Sequence, residues 1–430
     1  MRLPEDHPGR RLLNDEIHAR PPEALTAPLR LSFLALHGQP GAPSRQFEHV
    51  ADLARRFGVA PPAPGVNHFS CDLGPLRVKW ENHTEFARYK FIVEGEDGGA
   101  DGAFERPAIS EVPRDWLDSL TGTTIVAANV ALVRDTGEPI DAEAISARHF
   151  GGNVLTGGRI SGGAATAFTD FRIHADGFSR FYVADQGLTP RQAGRTLQRL
   201  LEIDTYRMMA LLALPAAREL GAALGHAETE LARIAHSLAQ GQRETEADLL
   251  EALTQLEAEI ESRYAGKLFR FAASAAYYAL VRRRISELRE ERIPGIQTIE
   301  EFLERRLTPA MSTCEAVTTR QEALAGRVSR VSQLLATRVE VVREGQSQAL
   351  LASMDRRAKL QLRLQETVEG LSVAAVTYYV VGLVGYGAEG LKSLGLHVDS
   401  GLLKGMSIPV VALLMWLGVR RVRRSVEEAE

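Results

Sequence analysis

Cysteine is nearly absent from this 430-residue chain, which has only Cys71 and Cys314. They stand far apart, and His68 beside Cys71 has no second such pair to complete a finger, so a disulfide scaffold and a zinc finger are both excluded. Aromatic residues make up 6% of the chain, and the formal net charge is -4, so no polybasic surface for nucleic acid is implied. The first residues, MRLPEDHPGRRLLNDEIHARPPEAL, lack the apolar core of a signal peptide. Nothing in them is expected to carry the following residues across a membrane. Catalytic signatures are missing as well: there is no HExxH, no GxSxG and no dinucleotide-binding glycine fingerprint. No catalytic residue or cofactor is therefore predicted, and an ordinary hydrolase or dehydrogenase is not expected.

The longest uncharged run lies near the end. From Gly370 to Ala388 no residue carries a formal charge, and a helix rising about 1.5 Å per residue covers roughly the 30 Å hydrocarbon core over that length. A second run, Gly405 to Val419, is shorter; Leu402 and Leu403 extend it, Lys404 can snorkel, and Trp416 suits an interfacial belt. Two transmembrane helices, about 370–391 and 402–419, are predicted, with the lipid bilayer as partner. Arg356, Arg357, Lys359 and Arg363 precede the first run, and Arg420, Arg421, Arg423 and Arg424 follow the second. Between the runs only Lys392 and Lys404 stand against Glu389 and Asp399. By the positive-inside rule both termini face the cytoplasm, in a multi-pass protein of the bacterial inner (plasma) membrane.

Texture divides the remainder near residue 188. Residues 1–188 read as a cytosolic α+β domain with a mixed or antiparallel sheet. Its expected strands are Leu29 to His37, Asn67 to Leu73, Leu76 to Asn82, Phe86 to Glu94, Thr123 to Val133, and a closing meander of Asn153 to Ile160, Ala165 to His174 and Phe178 to Ala184. Helices are expected at Phe47 to Phe57 and Arg114 to Leu120. Residues 189–369 read as a long-helix, coiled-coil-like stalk opened by Thr189 and Pro190 and kinked at Pro215. Its seam runs Leu249, Leu253, Leu256, Ile260, Tyr264, Leu268, Phe271. Pro294 and Gly295 stop that helix, Thr298 with Glu301 caps a short one, and Thr308 with Pro309 starts another that continues into the membrane. Residues 370–424 complete the chain as the transmembrane hairpin with its basic end. Helical seams of this kind also predict a homo-oligomer, and no particular protein partner is indicated.

Five clusters carry what chemistry there is. The glycines of GGRISGG, Gly157 to Gly163, have no Lys-Ser or Lys-Thr behind them and read as turns or bulges. Asn14, Asp15, Glu16, His18 and Arg20 form a polar string in a segment expected to be extended. His83 with Glu85 should share a strand face, and His68 with Cys71 and Asp72 gives another incomplete ligand set. Glu202, Asp204, Tyr206 and Arg207 form a dense patch on a helix that can clamp the sheet.

The blocks RRLLNDEIHARPPEAL, FGGNVLTGGRISGGAATAFTDFRIHADGFSRF and RLLEIDTYRMMALLALP, with the paired terminal runs, resemble a bacterial family of predicted membrane-anchored proteins known as domain of unknown function 3422. The resemblance implies anchoring and brings no assigned reaction. In layout the chain is also similar to CorA-type magnesium channels, whose first membrane helix ends in Tyr-Gly-Met-Asn. Here Tyr386 and Gly387 match, while Ala388 and Glu389 replace Met and Asn. Three readings follow: a membrane-anchored scaffold or sensor, preferred because the architectural signals dominate; a CorA-like cation channel with Glu389 as a carboxylate ring and a divalent cation as cargo; and a membrane-bound enzyme using a ligand near His18, His83 or Gly158.

Overall fold

The computed structural model describes residues 6–18, 21–38, 43–95, 102–135, 137, 140–240, 245–393 and 399–427. Two compact units are present: residues 1–244 with 251–332, and residues 245–250 with 333–430.

The first unit is built on one mixed sheet of eight strands in the order β2-β3-β4-β1-β5-β8-β7-β6. In chain order the strands are β1 (Leu29–His37), β2 (His68–Asp72), β3 (Arg77–Asn82), β4 (Phe86–Glu94), β5 (Thr123–Arg134), β6 (Thr156–Ile160), β7 (Ala165–Thr169) and β8 (Ser179–Asp185). β1 is central because its sequence, LRLSFLALH, is buried almost throughout, as a strand covered on both faces must be. It pairs antiparallel with β4 and β5. The expected meander β6-β7-β8 is antiparallel, but β8 then joins β5 in parallel, which makes the sheet mixed.

Short helices cover one face. Val50, Leu53 and Ala54 of α2 (Pro43–Arg56) are buried, and Val50 and Leu53 share a core cluster with Trp80, Tyr89 and Phe91 of the sheet and Trp116 of α3 (Arg114–Asp118). Two polar tips in this core are satisfied: Trp116 Nε1 donates to His49 O at 2.8 Å and Tyr89 Oη to Gln46 Oε1 at 2.7 Å. Against the opposite face lies α5 (Pro190–Leu211), whose Thr189 and Gln192 form a capping box. The segment ahead of β1 crosses α5 so closely that a Cβ at Gly194 would stand 1.7 Å from Glu23 O. Only glycine fits there.

Beyond α5 come α6 (Ala213–Gln240), α7 (Glu246–Leu288), α8 (Ile299–Ser393) and α9 (Ser400–Glu427). The break between α5 and α6 falls at Leu212, because Pro215 has no N–H to offer the Leu211 carbonyl. Within the first unit α6, α7 and α8 pack on one another through Leu220, Leu224, Leu253, Leu256, Met311 and Leu324, all buried. Arg320 of α8 binds Glu228 of α6 at 2.6 Å.

Several expectations require correction. The polar string at Asn14 is helical, lying on α1 (Arg10–His18), because Arg10 to His18 is amphipathic over two turns; the side chains of Glu16 and His18, and all of Arg20, lie outside the described residues. A helix absent from the expectations, α4 (Ala142–His149), precedes β6 and is capped by Asp141, whose Oδ1 accepts from Ala144 N at 3.0 Å. No new helix starts at Thr308: α8 runs on from the Thr298–Glu301 capping box with Pro309 inside it. The Thr308 hydroxyl is engaged 2.8 Å from Tyr278 Oη and does not cap. His83 and Glu85 lie in the connection between β3 and β4 and not on a strand face.

In the second unit the tail of α8 and α9 leave most of their large apolar side chains exposed. Three described helical runs are long and apolar enough to cross a membrane: Pro190–Gln240, Ile299–Leu391 and Gly401–Arg421. The most apolar stretch of the first is 33% buried, and this run packs on the sheet with Glu202 and Asp204 inside. For the other two the figures are 6% and 0%.

Candidate functional site

Charge is concentrated on the α5 face of the sheet edge. In β3 and β4 the alternation that sends Trp80, Tyr89 and Phe91 into the apolar core sends Lys79, Glu81, Arg88 and Lys90 to the other side, where all four are buried. Facing them, α5 contributes Glu202, itself buried. Arg88 Nε donates to Glu81, and Arg88 Nη1 reaches Glu202 Oε1 at 3.4 Å. Gln198 Nε2 donates to the same oxygen at 2.8 Å, and Arg284 of α7 donates to the other. Arg284 continues to Glu287 at 2.8 Å, and Glu287 to Arg199 at 3.2 Å. At the opposite end Lys79 Nζ donates to Pro21 O at 2.5 Å and lies 3.5 Å from Glu81. A single ion-pair chain therefore runs from β3 through β4 and α5 to α7.

Its electrostatics follow from burial and sequence order along the strands. Burial alone pushes the Glu81 carboxyl up, but Arg88, Lys90 and Lys79, with the hydrogen bond from Arg88, more than offset it and hold the group down at about 2. Glu202 is likewise held below the usual range, against burial, by Arg88, Gln198 and Arg284. Lys90 is the weak member. Burial and repulsion from Arg88 bring its ammonium down to about 7 in spite of Glu81 and Glu202. Among the described residues it makes no direct hydrogen bond or ion pair.

The patch predicted on α5 does join the sheet. Besides Glu202, Asp204 accepts from Ser179 of β8 at 3.2 Å and pairs with Arg207 at 2.5 Å, while Arg207 lies over the Phe171 ring at 4.9 Å. Tyr206 stacks on Tyr277 of α7, and Glu85 pairs with Arg270 at 2.6 Å beside them. His83 stacks on Phe86, and His68 contacts Asn67 at 3.1 Å. Burial, with Asp72 alongside, pushes the Cys71 thiol up to about 11, which suppresses thiolate chemistry. Among the described residues no group of three or more His, Cys, Asp or Glu side chains is arranged to hold a metal ion.

The glycines of GGRISGG serve strand geometry. Gly157 and Gly158 sit in β6, where a Cβ would stand 1.9 Å from Ala167 O and 2.5 Å from Glu291 O. Gly162 and Gly163 form the following turn with φ of 71° and 81°.

At the other candidate region, Tyr386 on α8 is 74% exposed and Ala388 is buried. Glu389 lies 3.4 Å from Lys404 Nζ of α9, and a Cβ at Gly385 would meet the Lys404 Cε at 1.7 Å. Gly387 has open space around its Cα. On α9 the Arg420 guanidinium covers the Trp416 ring at 5.1 Å, and Arg421 is exposed. The side chains of Arg423 and Arg424 lie outside the described residues.

An eight-stranded mixed sheet followed by long helices, two of them apolar and uncovered, defines an α+β protein with candidate membrane spans. The chain belongs to the family described as protein of unknown function (DUF3422), whose model matches residues 5–426. No curated protein matches it.

Proposed function

We propose that this protein is a membrane-anchored scaffold or sensor whose segments 370–391 and 402–419 cross the bacterial inner membrane as a hairpin, with both termini in the cytoplasm. The observation that carries the reading is the exposure of large apolar side chains on both segments: Tyr378 at 77%, Leu383 at 70% and Met406 at 69%. Soluble monomers rarely expose contiguous apolar patches above a few hundred Å². Helices also satisfy their own backbone hydrogen bonds, which a bilayer requires. Arginine and lysine on both outer flanks support the orientation.

Self-association through the helix ahead of the membrane is part of the same reading. Leu350, Leu360, Leu364 and Val368 of α8 are exposed, and a second copy offers the same apolar surface in return. Glu389 argues for an anchor over a cation pore: its carboxylate lies beside the Lys404 ammonium, which weakens the field a ring of carboxylates would provide. Fractionation tests the proposal. After alkaline carbonate extraction of cell membranes the full chain stays in the pellet, whereas a chain ending at Glu369 moves to the supernatant. Release of the full chain by carbonate contradicts it.

A further inference from the structure

The ion-pair chain ends at a cavity of about 380 Å³ between α5 and the end of α7. Its walls carry Arg195 and Arg199 from α5, Ser286 and Glu287 from α7, Arg289 just beyond α7, and Ser161 from the turn after β6. Arg195 and Arg199 share one helical face because they are four residues apart. Ser161 and Arg289 are held together by an unusual backbone: both have positive φ, 57° and 48°, and Ser161 N donates to Leu288 O at 2.8 Å. A Cβ on Gly162 would lie 3.9 Å from Arg289 Cζ, so the guanidinium rests over the glycine turn. The Ser161 hydroxyl meets Thr196 Oγ1 at 2.8 Å on the same wall.

Charge does not balance here. Glu287, the acidic residue of the wall, already serves Arg199 at 3.2 Å, Arg283 at 3.1 Å and Arg284 at 2.8 Å. Arg195 and Arg289, both exposed at the mouth of the cavity, pair with no carboxylate among the described residues. Two guanidiniums at one cavity, with hydroxyl donors beside them, complement a dianion, and guanidinium geometry suits the paired oxygens of phosphate.

We propose that this cavity binds a phosphate-bearing small molecule, its phosphate held by Arg195 and Arg289. The cavity is larger than phosphate alone needs, so a phosphomonoester with its organic part fits the space. The site is independent of the membrane reading, since every residue named belongs to the first unit.

Calorimetric titration of the full chain in detergent micelles tests it, with inorganic phosphate, adenosine monophosphate and adenosine as probes. Saturable binding on the order of millimolar or tighter is expected for the two phosphate compounds and none for adenosine. Binding of inorganic phosphate with exclusion of the nucleotide identifies free phosphate as the source; tighter nucleotide binding identifies a monoester. Arg195→Gln and Arg289→Gln should each weaken binding about tenfold, as loss of one charged hydrogen-bonding partner implies. Arg282→Gln, an exposed neighbour outside the cavity, should leave it unchanged. No saturable heat, or equal weakening by Arg282→Gln, overturns the proposal.

Discussion

Replacing Arg88 by Met separates Glu81 from Glu202 and is the sharpest test of the buried chain. Arg88 is 4% exposed and touches both carboxylates, so the methionine fills its space and removes the charge that holds two buried acids together. Breaking a buried ion pair from one side costs about 3–5 kcal/mol. The lower end applies, because Glu81 keeps Lys79 at 3.5 Å and Glu202 keeps Gln198 at 2.8 Å. A loss of about 3 kcal/mol is therefore expected. Urea denaturation of the full chain in micelles can follow it by tryptophan fluorescence, since Trp80 and Trp116 are buried in the first unit and the third tryptophan, Trp416, is replaced by Phe in the reference protein. A double-mutant cycle with Glu202→Gln should return a coupling of about 1–3 kcal/mol. A loss below about 1 kcal/mol, with no coupling, would show that the chain does not organise this face of the fold.

Lys90 gives a pH test in a higher window than that of the acids, with the same sign of slope. Its folded value of about 7 is below the ordinary lysine value of 10.5, so between these pH values the unfolded chain holds more protons and stability rises with pH. Lys90→Met should abolish that rise and stabilise the protein at pH 7 by on the order of a few kcal/mol, measured by urea titration at pH 7 and pH 10. Glu81, held at about 2, contributes stability above its ordinary value of 4.5 that is lost as pH falls from there toward 2; Glu81→Gln should flatten this acid limb. Gly194→Ala should cost about 1–3 kcal/mol or prevent folding, because its Cβ would overlap Glu23 O, whereas Gly266→Ala, in α7 with open space around it and no positive φ, should cost nothing; thermal melts of the two variants decide.

Strand positions were largely legible in the sequence because β1, β3, β4 and β5 combine β-branched or aromatic residues with clear turn boundaries. The parallel pairing of β5 with β8 was not, since β6 and β7 intervene and only the tertiary fold brings these two together. The site was half visible. Glu202 and its neighbours stand out as polar residues in an apolar helix, but Lys79, Glu81, Arg88 and Lys90, alternating with apolar residues, carry the same pattern as the solvent face of a half-exposed strand. Their counter-charges, Glu202 and Arg284, lie far along the chain, so no local pattern marks these strands as buried on both sides. The period-two run of charges beside Trp80, Tyr89 and Phe91 was the available signal. The Thr308-Pro309 pair resembles a helix start, and only the hydrogen bond between Thr308 and Tyr278 shows that the hydroxyl is committed elsewhere.

The central claim is tested most directly by topology mapping in intact cells. With Cys71→Ser and Cys314→Ala as background, single cysteines are placed at Ser393, between the two apolar segments, and at Glu427, beyond the second, and a membrane-impermeant maleimide is applied before and after permeabilisation. The account predicts labelling at position 393 from outside the inner membrane, and labelling at 427 only once that membrane is opened. Labelling of both positions from the same side would contradict a spanning hairpin.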